Sequence, residues 1–364
     1  MDIFETFKKE DASFVCIAAP MVRYSKLPFR LLVRELGADV AYTSMIMADS
    51  FVRSSKARDV EFTTCTADRP LIVQLASKDA CELSVATEML APYCDGVDLN
   101  CGCPQKWAIQ SGIGSALLRR PEKIAALIHS ARTVLPRWRT GTNRPTFWTP
   151  ANQSHSPDSS LALTRDQEPF SISVKLRVVP EGSRACGDPA TNQISHTIEL
   201  IRRLAHMGVD WVTLHARTPE QRSREPACWN VVSQVVDAHI RHNSAGTHLP
   251  VVLNGDVSNF TDVQRAQQQT GCHGVMVARG LLSNPRLFST DSNFTTVTDL
   301  RSLLDRWLYL SARYPGGNCF KNIHQQAYWM MEHHLDRERR LLMHSLCSFA
   351  GLCDWLEAYW TEVC

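Results

Sequence analysis

Short apolar runs alternate with amphipathic stretches along most of this 364-residue chain. The runs FVCIAAP (14–20), DVAYTSM (39–45), LIVQLA (71–76), GVDLN (96–100), SISVKLR (171–177), GVDWVTLHA (208–216), PVVLNG (250–255) and HGVMVAR (273–279) have the length and β-branched content of strands. Between them, residues 27–36, 79–93, 121–134, 193–207, 227–239 and 259–269 carry apolar residues at helical spacing. Strand–helix alternation predicts a parallel sheet with crossover helices, and eight such units close naturally into a (β/α)8 TIM barrel of the α/β class. A doubly wound open sheet is the alternative, disfavoured because no GxGxxG follows the first strand.

Two segments interrupt the rhythm. Residues 137–170 are rich in Pro, Ser, Thr and Asn without strand or helix period, and read as a mobile surface insertion between the fourth and fifth strands. A shorter polar loop, 179–193, follows the fifth strand. From about residue 285 the strand signals stop. LRSLLDRWLYLSARY, KNIHQQAYWMMEHHL and RRLLMHSLCSFAGLCDWLEAYW have helical spacing, so residues 12–288 are expected to form the barrel and 289–364 a small all-helical domain.

Composition narrows the function classes. Hydrophobic residues make up 44%, enough for a substantial core, and 39 basic residues nearly balance 37 acidic ones. Any nucleic-acid surface must therefore be local. The first residues, MDIFETFKKEDASF, lack a basic segment followed by an apolar one, so no secretory signal is expected. No run of about 18 apolar residues exists, so no membrane partner is expected either. The 13 cysteines are scattered, with no CxxC pair, which suits reduced thiols in an intracellular protein, cytoplasmic or nuclear.

In such a barrel the functional groups gather at the C-terminal strand ends. Those ends carry Pro20-Met21, Gln74, Asn100 to Pro104, Lys175 and Arg177, His215 and Arg217, Asn254-Gly255-Asp256, and Ala278-Arg279-Gly280. Each of NGD and ARG is an ordinary turn when met alone. At successive strand ends seven and eight they suit a phosphate-bearing cofactor, with glycines permitting close backbone approach and Arg279 offering a fork of donors. Lys175 is either a strand-tip lysine reaching solvent or a cation beside an electron-rich ring. His215 is either a hydrogen-bonded core histidine or a donor to the cofactor, and its neighbour Arg217 favours the second.

The segment VDLNCGCP (97–104) sets two cysteines astride a glycine at the end of an apolar run. A metal site would need a partner pair at usable spacing, and none exists, so no metal is expected. A disulfide across one residue would be strained. Buried filler and a presented thiol remain.

Here a resemblance enters. APMVRYSKLPFR, VQLAS, VDLNCGCPQKWAIQSGIGSALL, VKLR, LHART, LNGD and VMVARG, in that order, resemble the motifs of the tRNA-dihydrouridine synthases from about residue 16 to 290. CGCPQKW together with APMVRYSKLPFR resembles the eukaryotic dihydrouridine synthase 4-like branch. The resemblance implies a barrel holding FMN, with NADPH (or NADH) as transient donor, and a helical domain that grips tRNA; a monomer is expected. Ala19, Pro20 and Met21 would line the flavin ring, Gln74 would bond its edge, and Lys175 would sit where positive charge stabilises the reduced anion. His215 would donate to the flavin. Asn254, Gly255, Asp256, Ala278 and Arg279 would hold the ribityl chain and phosphate; many relatives have Gly-Arg where this chain has Ala278-Arg279. Cys103 matches the catalytic position. Hydride from flavin N5 to uracil C6 leaves C5 needing a proton, and a thiol of ordinary pKa, about 8.5, can donate it. No tight ion pair to that sulfur is therefore expected. Cys101 reads as packing, Asn100 as orienting uracil or flavin, and Lys106, Arg177 and Arg217 as substrate contacts.

Residues 101–144 hold eight basic side chains (Lys106, Arg119, Arg120, Lys123, Arg132, Arg137, Arg139 and Arg144) against Glu122, which is either an RNA surface or a solvated helix face. Trp107 could stack on a base or cap the barrel mouth. The region from 290 onward carries seven basic and nine acidic residues, so its RNA face would have to be localised, with Lys321, His324, Arg337, Arg339 and Arg340 as candidates. A D-loop uridine, with the branch suggesting 20a and 20b, is the expected substrate. The alternatives are a flavin barrel acting on a free pyrimidine or enone, and a catalytically dead RNA-binding scaffold.

Overall fold

The computed structural model describes residues 14–139, 170–180, 189–242, 247–289 and 296–363. Eight parallel strands form its centre: β1 Val15–Ala18, β2 Val40–Tyr42, β3 Leu71–Ala76, β4 Gly96–Cys101, β5 Ser171–Arg177, β6 Trp211–His215, β7 Val251–Asn254 and β8 Gly274–Val277. Each pairs with the next, β8 pairs back onto β1, and β2 pairs with β3 by Ala41↔Leu71. The sheet is therefore a closed (β/α)8 barrel, and the open doubly wound alternative is excluded. A two-residue strand, Ile46–Met47, adds to the far end of β3.

Side chains fill the barrel axis. Val15, Ile17, Val40, Tyr42, Ile72, Trp211, Val252 and Met276 pack there as one buried cluster. Trp211 Nε1 donates to Tyr42 Oη at 3.1 Å, so the two largest polar-tipped rings satisfy each other inside the plug. The outer faces of the strands pack against the crossover helices. Trp229–Asp237 is one-sided, burying Val231, Val232 and Val235, whereas Leu27–Glu35 is buried from Leu27 to Val33, and Ala80–Leu90 is closed at its N-terminus by Asp79, which accepts from the Glu82 amide at 2.9 Å.

Several boundaries differ from the sequence reading. The helix expected over 121–134 runs on as Pro121–Arg139, so 137–139 continue a helix rather than begin a loop; the rest of the proposed insertion, 140–169, lies outside the described residues. The polar loop expected to 193 ends earlier, because the helix Pro189–His206 opens at a proline, whose missing N–H costs nothing in a first turn. The remainder of that loop, 181–188, is also outside the described residues.

Helices Val297–Arg313, Phe320–Met331, Arg337–Ser345 and Phe349–Val363 follow the barrel. They continue the barrel's main core rather than forming a separate one, with Leu300, Leu304, Trp307, Met330 and Leu352 in the same buried cluster as Phe29 and Leu32. Phe29 meets Trp307 edge-on, Gln326 Nε2 donates to Leu282 O at 2.7 Å, and Arg306 forks onto the Glu35 carboxylate. Among the described residues no helix is long and apolar enough to cross a membrane.

Candidate active site

The C-terminal strand ends converge as the alternation predicts. A cavity of about 460 Å³ opens among the ends of β5 to β8, lined by Arg177, His215, Arg217, Asn254 to Ser258 and Met276 to Gly280, with Ser223 and Ser283 at its edge. Gly255 has φ +123°, and a Cβ there would meet Ala227 Cβ at 3.0 Å and His215 Cδ2 at 3.2 Å. Arg279 is 67% exposed at the rim, with one guanidinium nitrogen 3.7 Å from Asp256.

Two predicted site residues are tied to each other. Arg217 lines the cavity, but its guanidinium is engaged by protein partners. Its Nη2 forks onto both Asp256 oxygens at 2.5 Å, Nε donates to Glu225 O at 2.7 Å, and Nη1 lies 3.2 Å from His215 Nε2. Asp256 also accepts from the Ala227 amide at 2.7 Å, and its carboxyl sits below the usual range because these donors outweigh its desolvation. Asp256 thus braces Arg217 and the Ala227 segment from the cavity wall. The guanidinium can only donate, so His215 Nε2 accepts and the ring proton lies on Nδ1. Burial first, then four nearby cations (Lys175, Arg177, Arg217 and Arg279), push the imidazole down to about 2, and His215 is neutral.

Lys175 does not reach solvent alone. Its Nζ donates to Asn254 Oδ1 at 2.9 Å, while Asn254 Nδ2 donates to Met276 O at 2.7 Å. The Asn254 side chain therefore seats the lysine. Burial and the neighbouring Arg177 lower the Lys175 pKa to about 8, and it also feels Asp98 and Cys103. Arg177 is turned aside onto the carbonyls of Thr218 and Gln221, and its pKa falls to about 10 through burial and Arg217.

The Cys103 loop is built from the strand below it. Asn100 Oδ1 accepts from the amides of Gly102 and Cys103 at 3.1 and 3.0 Å, and its Nδ2 donates to Gln74 Oε1 at 2.8 Å. Asn100 thus shapes the loop, and its oxygen is spent on it. Gln74 Nε2 in turn donates to Asp98 Oδ2 at 2.8 Å, leaving Gln74 one amide proton for a ligand. Cys101 is fully buried at the end of β4, with its thiol pKa driven well up by burial; Cys101 and Cys103 are both free thiols, and Cys103 alone is partly exposed. The filler reading fits Cys101 and the presented thiol fits Cys103. Among the described residues no cluster of His, Cys, Asp or Glu could hold a metal ion.

The loop after β1 holds Ala19, Pro20 and Met21. Ser25 Oγ donates to Ala19 O and accepts from the Met21 amide, both at 2.9 Å, and Ser44 Oγ donates to Met21 O at 3.1 Å. These two serines, with Asp98, were missed by sequence reasoning; only Asp98, an acid within an apolar strand, carried a signal.

The sequence profile described as Dihydrouridine synthase (Dus) matches residues 17–141 and 183–345. The chain belongs to the dihydrouridine synthase family. It is 35% identical over 361 residues to the mouse (Mus musculus) protein named tRNA-dihydrouridine(20a/20b) synthase [NAD(P)+]-like, covering 99% of this chain and 93% of that one. The Saccharomyces cerevisiae tRNA-dihydrouridine(20a/20b) synthase [NAD(P)+] is 33% identical over 357 residues, with 98% and 82% covered. As a dihydrouridine synthase the chain is an oxidoreductase acting on CH–CH bonds.

The expected RNA surfaces fare unevenly in this synthase. Lys106, Trp107, Arg119 and Arg120 are exposed beside the thiol loop. Arg132 is not available, being paired with Asp210 at 2.5 Å; Arg144 lies outside the described residues. In the C-terminal helices Lys321 and Arg337 are exposed, but His324 Nε2 is bonded to Met343 O at 2.7 Å, and Arg339 is held by Asp336 and Glu362 over the Tyr359 ring. His324 and Arg339 are thus engaged in holding helices together.

Proposed function

We propose that this protein reduces the C5–C6 bond of a D-loop uridine in tRNA, at positions 20a and 20b, using FMN and NADPH or NADH. The carrying observation is Lys175, hydrogen-bonded to Asn254 on the cavity wall and paired in register with Asn100, whose side chain holds the Cys103 amide. One lysine thus links the cofactor cavity to the candidate acid.

The cavity fits FMN. Its size is that of a cofactor pocket, a side chain at Gly255 would intrude on His215, and Arg279 stands at the mouth as an exposed cation. Ala278, Arg279 and Gly255 would hold the phosphate end, and Ala19, Pro20 and Met21 the ring. Neutral His215 would offer Nδ1–H, and Gln74 its remaining amide proton. FMN, when bound, would supply the hydride for the uracil. Cys103 gives its Sγ proton to C5 and recovers one from solvent. Lys175 would stabilise negative charge beside the ring. A base must leave its stack to reach this depth, which favours a loop nucleotide; exposed Lys106, Arg119 and Arg120 would take the flanking phosphates, helped by Lys321 and Arg337. The helices from Val297 onward would serve as the tRNA-binding domain.

The test is an anaerobic flavin spectrum of the purified protein, reduced with NADPH and mixed with unmodified tRNA. Rapid reoxidation by tRNA but not by free uridine is expected, and Cys103→Ala should keep flavin yet lose turnover. A yellow protein indifferent to tRNA would overturn the proposal.

A further inference from the structure

One buried carboxylate has no part in the chemistry above. Asp98 lies inside the barrel on β4, fully buried, between β3 and β5. Its Oδ1 accepts from Ser173 Oγ at 2.7 Å and its Oδ2 from Gln74 Nε2 at 2.8 Å. Beyond Ser173 the bonds continue to Tyr42 Oη at 3.4 Å and Trp211 Nε1. Beyond Gln74 they continue through Asn100 to the amides of Gly102 and Cys103.

We infer that Asp98 is a positioning residue for the Cys103 loop, acting through the directed relay Asp98–Gln74–Asn100. This rests on the reading of Cys103 as the proton donor.

The argument is one of polarity. A carboxamide has an accepting end and a donating end of nearly equal shape, so an Asn or Gln can turn over at little steric cost. The loop amides need the Asn100 oxygen. If Asn100 turned over, its NH2 would face two N–H groups and both part-buried amides would lose their acceptor, at the cost of unpaired donors. What forbids this is that Asn100 Nδ2 must meet an oxygen on Gln74, and Gln74 presents Oε1 there only because its NH2 is held by Asp98. An ionised carboxylate is the one side chain in the series that only accepts. It therefore sets the direction of every bond up to the Cys103 backbone. Burial raises the Asp98 pKa to about 6, eased by Ser173, Gln74 and Lys175, so the acceptor-only form prevails at neutral pH.

Asp98→Asn keeps shape but removes the direction, because an Asn at that position can meet Gln74 with either end. The swapped pair Asp98→Asn with Gln74→Glu restores it: a carboxylate one step along the relay again only accepts, from Asn100 on one side and from the new amide on the other. Amide hydrogen exchange at Gly102 and Cys103 reads the loop directly, without turnover. Asp98→Asn is expected to speed exchange at both amides about tenfold, the scale of a hydrogen bond of ordinary net strength, and the double variant to slow it again. A contact of shape alone would not be rescued by the swap. Should Asp98→Asn not fold, Gln74→Leu cuts the relay one link further on and must give the same acceleration. Unchanged exchange in a folded single variant, or no rescue in the double one, overturns the inference. Cys103→Ala is measured beside them: retained turnover would remove the acid role whatever the exchange shows, so the two failures are told apart.

Discussion

A methyl group on Gly114 would lie 2.7 Å from the carbonyl oxygen of Cys103 and 2.9 Å from its Cβ. Gly114 also has φ +61°, and the Ser115 amide donates to that same carbonyl at 3.0 Å. The thiol loop is thus pressed between Asn100 from below and the Gly114 turn from the side.

Gly114→Ala should therefore move Cys103. The contact is with backbone, which cannot swing away, and the left-handed conformation adds its own strain. We expect a stability loss of about 2–4 kcal/mol and a fall in turnover larger than that of Gly112→Ala, which shares the left-handed strain at φ +77° but whose added Cβ would meet only Lys78 Cδ at 3.9 Å. Chemical denaturation and single-turnover tRNA reduction check this; equal effects at the two glycines would refute it.

Arg217 and Arg279 should separate cleanly. Removing buried Arg217 takes the guanidinium from Asp256, His215 and the Glu225 carbonyl, and Arg217→Met should cost about 2–4 kcal/mol. Arg279 is exposed, so Arg279→Ala should leave the melting temperature within a degree or two and weaken FMN binding about 10- to 100-fold. Flavin titration of both variants decides it.

Lys175 should govern an alkaline limb. Its pKa is lowered to about 8, so the ammonium is lost as pH rises through that value, and turnover should fall there. Lys175→Arg should carry activity to higher pH. The same shift means that the unfolded chain binds more protons between about 8 and 10.5, so stability rises with pH in that window, and Lys175→Met should abolish the rise.

His215 should limit stability in acid. The folded pKa is about 2 against an ordinary 6.5, so below 6.5 the unfolded chain takes up a proton that the native state refuses. Stability is fully present above about 6.5 and is lost as pH falls towards 2, on the order of 1 kcal/mol by pH 5.5. His215→Asn should flatten that slope in urea midpoints measured at pH 7.5 and 5.5; an unchanged slope would assign the acid sensitivity elsewhere.

The alternation of apolar runs and helical spacing determined the barrel, because burial on both faces of a parallel strand leaves a local signature that needs no knowledge of its neighbours. Strand order likewise placed Gln74, Asn100, Lys175, His215 and Asn254 on one end of the barrel. Pairwise roles were beyond its reach. That Arg217 pairs with Asp256, that Asn254 seats Lys175, and that Asp98, Gln74 and Asn100 form one chain of hydrogen bonds to the Cys103 amide all depend on contacts between different strands and loops. Such partners are set by barrel closure and strand register. Hydrogen bonds act over about 3 Å, and nothing in the order of residues along the chain records which donors closure brings within that distance.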